Sequence, residues 1–565
     1  MLAAIVILIG VVVVSKVLRH MLAVVVMSMA VVFAFAIAPG TARAADTGAI
    51  TVDGTVATRY DAYQLFSATV VDDADADQKV ATDVAWANDT VRQAALPVLH
   101  DAGLDNSAST AQEAAEWMNA DGHMTTTLAA KLARAIYNAG APSVALNAGT
   151  TAELPCGYWL IVADDDAISQ GEAGTAPIMA LVGGSAVTVK PKAATPKVSK
   201  HVLEDSTAAW QKAADATVAD DLYWRLSTTV PAGLTAYDTY AVRFVDTMSA
   251  GLDPSKVAAS MRVYVAAGAD GGFDAVSAGK DGRAGTEPVK GWTDITAQCR
   301  VSVDGKTFTV RTGDLIAALG GADAFTAGAR VVAVYNAPLN SACSHGIAKG
   351  NPNEVYLRYP RSPFADQSGD AGFTRTPSDD ACAYTWDLAL TKRGSDGDKP
   401  LAGAVLSIAD DRGRTLAADS TWDARGKATV TTGEDGRVTV SGVDSGKLEV
   451  RELKAPKGYT AFEGTRSVTV KAEGLDVDQV AAAKPKLTIT AESPLRADSA
   501  DGSTGSLEAS LINTPTGTPP SITTGGFMPS TGDMAMYAAA AAAVAGAALI
   551  VVALLVKRGG GSHKE

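Results

Sequence analysis

From Val198 to Tyr359, and again from Tyr384 to Asn513, the chain runs in short stretches where apolar and polar residues alternate, broken by Gly, Pro and Asp. Alternation with a period of two marks a strand with one buried face, and many such runs separated by turn residues specify a β-sandwich. Side chains two apart share a face, so a polar residue in line with the apolar positions is aimed at the core. Six residues meet that condition. In Val198-Ser199-Lys200-His201-Val202 the lysine shares the face of Val198 and Val202, and Lys392 falls in line with Trp386, Leu388 and Leu390. Asp246 continues the face of Tyr240, Val242 and Phe244, while Glu452 continues that of Leu448 and Val450. Asn353 shares a face with Val355, Leu357 and Tyr359, and Asn513 ends the face of Leu507, Ala509 and Leu511. Lysine, acid and asparagine therefore recur in one order in both segments.

A single lysine at a strand end can snorkel to water. A lysine on a core face is uncommon unless it has a partner, so the repeated triplet points to one shared chemistry. That chemistry is a spontaneous amide between lysine amine and asparagine carboxamide, releasing ammonia. Burial depresses the lysine pKa and leaves a neutral nucleophile; it raises that of the acid, which stays protonated to polarise the carboxamide and shuttle protons. Folding supplies the proximity. Each bond would join the first and last strands of its domain, closing a loop worth on the order of 5 kcal/mol by analogy with disulfides. Asn340 is the alternative asparagine in the earlier segment.

The 565 residues carry a formal net charge of -14, and no basic cluster appears in the body. The acidic balance argues against nucleic acid as a partner, and the few aromatics against a base-stacking surface. Two apolar runs, Leu2 to Val14 and Met21 to Ala38, are separated by Lys16, Arg19 and His20, and Ala42-Arg43-Ala44 follows the second. The second run reads as a secretory signal cleaved between Ala44 and Ala45, with translation starting near Val13 or Val14. At the other end Met534 to Val556 is apolar and long enough to span a bilayer, with Lys557-Arg558 holding its end inside. Met528-Pro529-Ser530-Thr531-Gly532 stands just before it, after an extended Pro/Thr/Gly-rich stretch. Export permits one or two disulfides among Cys156, Cys299, Cys343 and Cys382, with Cys299–Cys343 as one pairing. Neither the cysteines nor the histidines have metal or triad spacing, and the Gly/Asp-rich stretch Gly268 to Gly285 fits no EF-hand and reads as a solvated loop. The expectation is no metal, no cofactor and no enzymatic activity beyond the self-directed amide formation.

The fold class expected is mainly β: tandem Ig-like, collagen-adhesin-type sandwiches behind a mixed α+β N-terminal domain. The boundaries are 1–44 for the signal, 45–190 for the first domain, 191–360 for the first sandwich and 361–383 for a linker. The second sandwich follows at 384–515, then a linker and sorting motif at 516–532 and the membrane segment with its basic tail at 533–565. Helices are expected from Thr90 to His100 and from Ala111 to Tyr137.

Met528-Pro529-Ser530-Thr531-Gly532, the apolar segment and the basic tail resemble the sortase sorting signal L-P-x-T-G, with Met528 for leucine. Val187-Thr188-Val189-Lys190-Pro191-Lys192 is similar to the pilin motif V-x-V-Y-P-K, with Lys190 where tyrosine is usual. Leu448-Glu449-Val450-Arg451-Glu452-Leu453-Lys454-Ala455-Pro456-Lys457-Gly458-Tyr459 resembles the E-box Y-x-L-x-E-x-x-A-P-x-G-Y, with Leu448 and Val450 as departures. Phe244-Val245-Asp246-Thr247-Met248-Ser249-Ala250-Gly251-Leu252 resembles F-x-D-T-x-x-x-G-L. Together these features resemble the major, shaft-forming pilins of Gram-positive bacteria.

The resemblance implies that Thr531 is cut from Gly532 and joined to Lys192 of the next subunit. It makes Glu452 the acid for Lys392 and Asn513, and Asp246 the acid for Lys200 and Asn353. No lysine lies between Ala45 and Gln78, so the opening strand of the first domain forms no such bond and two internal bonds are expected. The partners implied are pilin-class and housekeeping sortases, identical subunits, minor pilins and peptidoglycan, at a secreted, wall-anchored surface pilus that supports adhesion. The receptor stays open. The competing reading is a monomeric wall-anchored adhesin of the collagen-adhesin type, which would not need Lys192.

Overall fold

A computed structural model describes residues 46–517, apart from 74–77, 121, 170, 175, 192–194, 232–233, 269–290 and 326–327. The signal, Lys192, nearly all of the Gly/Asp-rich loop, the sorting motif and the apolar C-terminal segment lie outside these residues. Among the described residues no helix is long and apolar enough to cross a membrane. The described residues are mainly β, with six sheets among them in three successive units.

The first unit mixes both element types. Arg59–Asp73 pairs with Gln78–Trp86 on one side and Gly157–Ala163 on the other, and helices Asp89–Asp101, Ala111–Asn119 and Thr126–Asn138 cover one face. Their apolar stripes fall at helical spacing: Val91, Ala95 and Leu99 in one, Leu128, Leu132 and Ile136 in another. The expected single helix from Ala111 to Tyr137 is two. Ala120 ends the first in extended conformation, Gly122 takes φ +84°, and Thr125 caps the next by accepting from Leu128 N.

The second unit is a sandwich. One sheet runs Ala209–Gln211, Val198–Glu204, Tyr223–Thr229, Arg330–Asn336, Arg262–Ala266, Thr293–Asp294. The facing sheet runs Ala213–Asp215, Asp379–Tyr384, Asn351–Pro360, Arg243–Met248, Thr307–Arg311, Arg300–Asp304, with Phe373–Arg375 also on Asn351–Pro360. The stretch 361–383, expected as a linker, thus supplies two strands to this sandwich. Its apolar residues explain why: Phe373, Ala381, Cys382 and Ala383 are buried, and Phe364 packs on the first unit's core. Arg134 Nη2 in the first unit donates to Pro363 O at 2.6 Å, and Tyr359 Oη donates to Gly171 O at 2.7 Å.

In the third unit the first strand, Trp386–Gly394, lies parallel to the last, Ser506–Pro515, and antiparallel to Arg437–Val443. The facing sheet holds Val405–Ala409, Gly446–Lys454, Thr465–Glu473 and Lys486–Ala491. Asp379–Tyr384 runs almost directly into Trp386–Gly394, so the two sandwiches share a junction. Trp386 Nε1 donates to Asp215 Oδ2 at 2.6 Å across it, and Arg414 Nη2 to Asp220 Oδ2 at 2.7 Å.

No disulfide forms among the four cysteines, so the Cys299–Cys343 pairing that export would permit is not made. Cys299 Sγ turns to Ile295 O at 3.3 Å, whereas Cys343 Sγ faces His345 Nε2 at 3.5 Å. Both thiols fill the second unit's core as small apolar groups.

Asn351, 1% exposed, ties the loop before it to that core: Nδ2 donates to Ser344 O at 2.9 Å and Ala383 O at 3.1 Å, and Oδ1 accepts from Ser344 N at 2.8 Å. Asn351→Ala strands those backbone groups, and we expect a loss of about 1–3 kcal/mol, read as a lower thermal midpoint for the second unit. Lys256→Ala, which removes the exposed pair to Asp221, should move the midpoint little.

Candidate crosslinking sites

Each of the six inward polar residues sits on a strand whose odd or even positions are buried, and all six are buried themselves. In the second unit Lys200 projects from one sheet, whereas Asp246 and Asn353 lie on neighbouring strands of the facing sheet. The register sets Asp246 opposite Val355 and Met248 opposite Asn353, so acid and amide are diagonal neighbours on one face. All three are 0% exposed.

Lys200 Nζ forms an ion pair with Asp246 Oδ2 and donates to Tyr335 Oη at 2.9 Å. Tyr335 Oη donates to the same Asp246 oxygen at 3.0 Å and accepts from Asn353 Nδ2 at 2.9 Å. Asp246 Oδ1 and Asn353 Oδ1 are buried without a hydrogen-bond partner. Burial pulls the lysine down to about 8, with the adjacent Asp246 carboxylate opposing. Burial also pushes Asp246 up, opposed chiefly by Lys200. Both shifts favour the neutral pair, amine and carboxylic acid, over the charged one.

An outer ion pair holds this strand edge. Lys212 Nζ donates to Lys200 O at 2.9 Å and binds Asp379, whose Oδ2 accepts the Lys200 backbone N–H at 2.7 Å. Asn340, the alternative asparagine, is not in the site. Its amide donates to Ala250 O and Leu252 O, both at 3.0 Å, in the loop after Met248. Asn353 is also not on the final strand of its sandwich, because Phe373–Arg375 and Asp379–Tyr384 follow it.

In the third unit Lys392 and Asn513 lie on adjacent parallel strands, with Gly394 opposite Asn513. Glu452 reaches across from the facing sheet. Lys392 Nζ contacts Asn513 Oδ1 directly and lies 3.4 Å from Glu452 Oε1, which accepts from Asn513 Nδ2 at 2.9 Å. Amine, carbonyl, leaving nitrogen and acid are therefore assembled in one buried cluster. Burial again lowers the lysine to about 8, against the pull of Glu452.

The E-box segment has a physical reason to be where it is. Gly446–Lys454 delivers Glu452 to the core, and Gly458 at φ +86° turns the chain back. Tyr459 and Thr460 then pair with Pro515 and Thr514 beside Asn513, and Phe462 N–H donates to Glu452 Oε2 at 3.1 Å.

The first unit lacks such a cluster among its described residues. Its half-buried Lys79 donates to the Gly183 and Ser185 carbonyls. Strand Val187–Val189 runs parallel to Thr47–Val52, and Lys190 on its exposed side lies 3.4 Å from Asp53. Lys192 and Met528 to Gly532 fall outside the described residues.

Sequence reasoning missed Tyr335. Its signal is present: in Arg330–Asn336 it continues the face of Val331 and Ala333, and a tyrosine on a core face needs a partner for its hydroxyl.

The folded lysine pKa of about 8 lies below the ordinary 10.5, so the unfolded chain binds more protons in that interval and stability rises with pH across it. In Asn353→Ala/Asn513→Ala, which leaves both amines free, the thermal midpoint should climb from pH 8 towards 10.5. Replacing both lysines with methionine should remove that climb.

Residues 387–484 match the family described as SpaA, prealbumin-like fold domain. A curated relative, the trypsin-resistant surface T6 protein of Streptococcus pyogenes serotype M6, is 30% identical over 143 residues, 24% of each chain. The chain thus matches about a quarter of that relative's length. Among solved structures, the T6 backbone pilin of serotype M6 Streptococcus pyogenes aligns at TM-score 0.45 and 16% identity, covering 85% of this chain and 100% of that one. The full-length major pilin SpaD of Corynebacterium diphtheriae aligns at TM-score 0.39 and 15% identity, covering 85% and 99%. The match to the SpaA prealbumin-like fold family spans the stretch that carries Lys392 and Glu452.

Proposed function

We propose that this chain is the major subunit of a sortase-assembled pilus, a structural protein rather than an enzyme with an external substrate. The observation that supports it best is the pair of buried lysine–acid–asparagine clusters in successive sandwiches. They stand in one chain with a Pro-x-Thr-Gly sorting motif. The neutral lysine amine attacks Asn Cγ, the carboxamide nitrogen leaves as ammonia with one added proton, and the amine gives up one proton to balance it. Asp246 and Glu452 carry that proton and are regenerated. Outside the sandwiches, a pilin-class sortase forms a thioester at Thr531 and Lys192 of the next copy resolves it as an amide. A housekeeping sortase transfers the finished fibre to peptidoglycan, and minor pilins join the shaft.

This design suits a load-bearing fibre. The chain enters the third unit at Trp386 and leaves after Pro515, at opposite ends of two adjacent parallel strands. Pulling shears that pair. A Lys392–Asn513 amide carries tension across the pair and keeps the residues between from unravelling, which removes on the order of 400 Å of extension.

Intact mass tests the internal bonds: the chain should weigh less than its sequence by two ammonia molecules, and Asp246→Ala or Glu452→Ala should each restore one. A full sequence mass would sink the crosslink reading. Assembly is tested on a denaturing gel of cell-wall extract from cells making the native chain or Lys192→Ala. A high-mass ladder that collapses to monomer in the variant is expected. A single monomer band in both strains would favour the wall-anchored adhesin, and a persisting ladder would move the acceptor to another lysine such as Lys190.

A further inference from the structure

The two clusters differ in how the acid reaches the amide. Glu452 Oε1 accepts from Asn513 Nδ2 directly, at 2.9 Å. Asp246 makes no such contact with Asn353. Its side chain is one methylene shorter, and the register places it diagonal to the asparagine rather than across a sandwich from it. The gap is filled by Tyr335, whose Oη accepts from Asn353 Nδ2 and Lys200 Nζ, each at 2.9 Å, and donates to Asp246 Oδ2 at 3.0 Å.

We infer that Tyr335 is a catalytic residue of the second-unit crosslink, its phenol passing the proton between Asp246 and the departing nitrogen of Asn353. The inference rests on the crosslink reading above. Lys200 Nζ bonds to Asn353 Cγ, and the Cγ–Nδ2 bond breaks as Nδ2 takes the phenol proton and leaves as ammonia. Tyr335 takes the proton of the Asp246 carboxylic acid in the same motion, and the Asp246 carboxylate then accepts the surplus proton from Nζ. One amide and one ammonia result, with tyrosine and acid restored.

Three features fit the phenol for this task. Tyr335 is 0% exposed, as are Lys200, Asp246 and Asn353, so the protein itself must carry the proton. The ring is fixed edge-on to Phe308 at 4.7 Å between centroids, and its pairing strand places it beside Lys200 rather than on a mobile loop. Burial also holds the phenol well above its ordinary range, so it acts as a neutral donor and acceptor without lingering as phenolate.

The test follows each crosslink separately by peptide mass mapping of the full chain at timed intervals after synthesis, with the Lys392–Asn513 peptide as an internal control for folding. Tyr335→Phe keeps the ring and removes the hydroxyl. The Lys200–Asn353 peptide should form about a hundredfold more slowly, the usual scale for losing a general acid, while the Lys392–Asn513 peptide forms at the native rate. A ring-fluorinated tyrosine at 335 keeps every contact but has a more acidic phenol, and it should shift the pH dependence of the Lys200–Asn353 reaction alone. A native rate in Tyr335→Phe, or an unshifted pH profile with fluorotyrosine, overturns the role of Tyr335. A native chain without the Lys200–Asn353 peptide overturns the crosslink reading itself.

Discussion

A lysine amine enclosed in an apolar sandwich has few stable arrangements. Charged and unpaired, it would carry a desolvation penalty of several kcal/mol; the ways out are a carboxylate beside it or loss of its proton. Both Lys200 and Lys392 are placed at this choice, and each faces an acid inside the same dry cluster. Around Lys200, burial disfavours the charge on both partners at once, so the neutral amine and neutral acid that ion pairing would normally suppress become accessible. In both sandwiches an asparagine lies in the same buried cluster as the lysine and the acid.

The arrangement is reached by two different geometries. In the third unit the lysine and asparagine share a sheet and the acid comes from the other, so a long glutamate side chain spans the core. In the second, the acid and asparagine share a sheet and the lysine comes from the other, so a short aspartate suffices for the lysine but not for the amide. Tyr335 closes that remaining distance. The same three residue types are thus gathered from different strand placements, with Tyr335 making up the difference in the second unit.

The connections between units are made by packed side chains and hydrogen bonds. The stretch 361–383 completes the second sandwich, packs Phe364 on the first unit and delivers the chain to Trp386 without slack. At the next junction the buried Asp215 carboxylate takes hydrogen bonds from Trp386 Nε1 and from the N–H and hydroxyl of Ser445. Glu204, beside it, is pushed up to about 7 by burial and by that neighbouring negative charge. These are compact, directional contacts between the two sandwiches.

Local pattern alone located the sandwiches and the six inward polar residues, because strand alternation dictates which side chains face a core whatever the partner strand turns out to be. The same reasoning lost accuracy where contacts are non-local. Gly and Pro in 361–383 signalled a linker, yet Asp379–Tyr384 gains its strand hydrogen bonds from residues distant in sequence. The cysteines could pair in several ways on paper, but the fold leaves all four as separate thiols, three of them buried and Cys299 partly so. Sequence also could not choose between Asn340 and Asn353, or find Tyr335, because both depend on which strands lie side by side. Residue order determined which groups turn inward; the pairing of strands and the facing of sheets decided which of those groups meet, since hydrogen-bond chemistry acts over about 3 Å and chain separation says nothing at that scale.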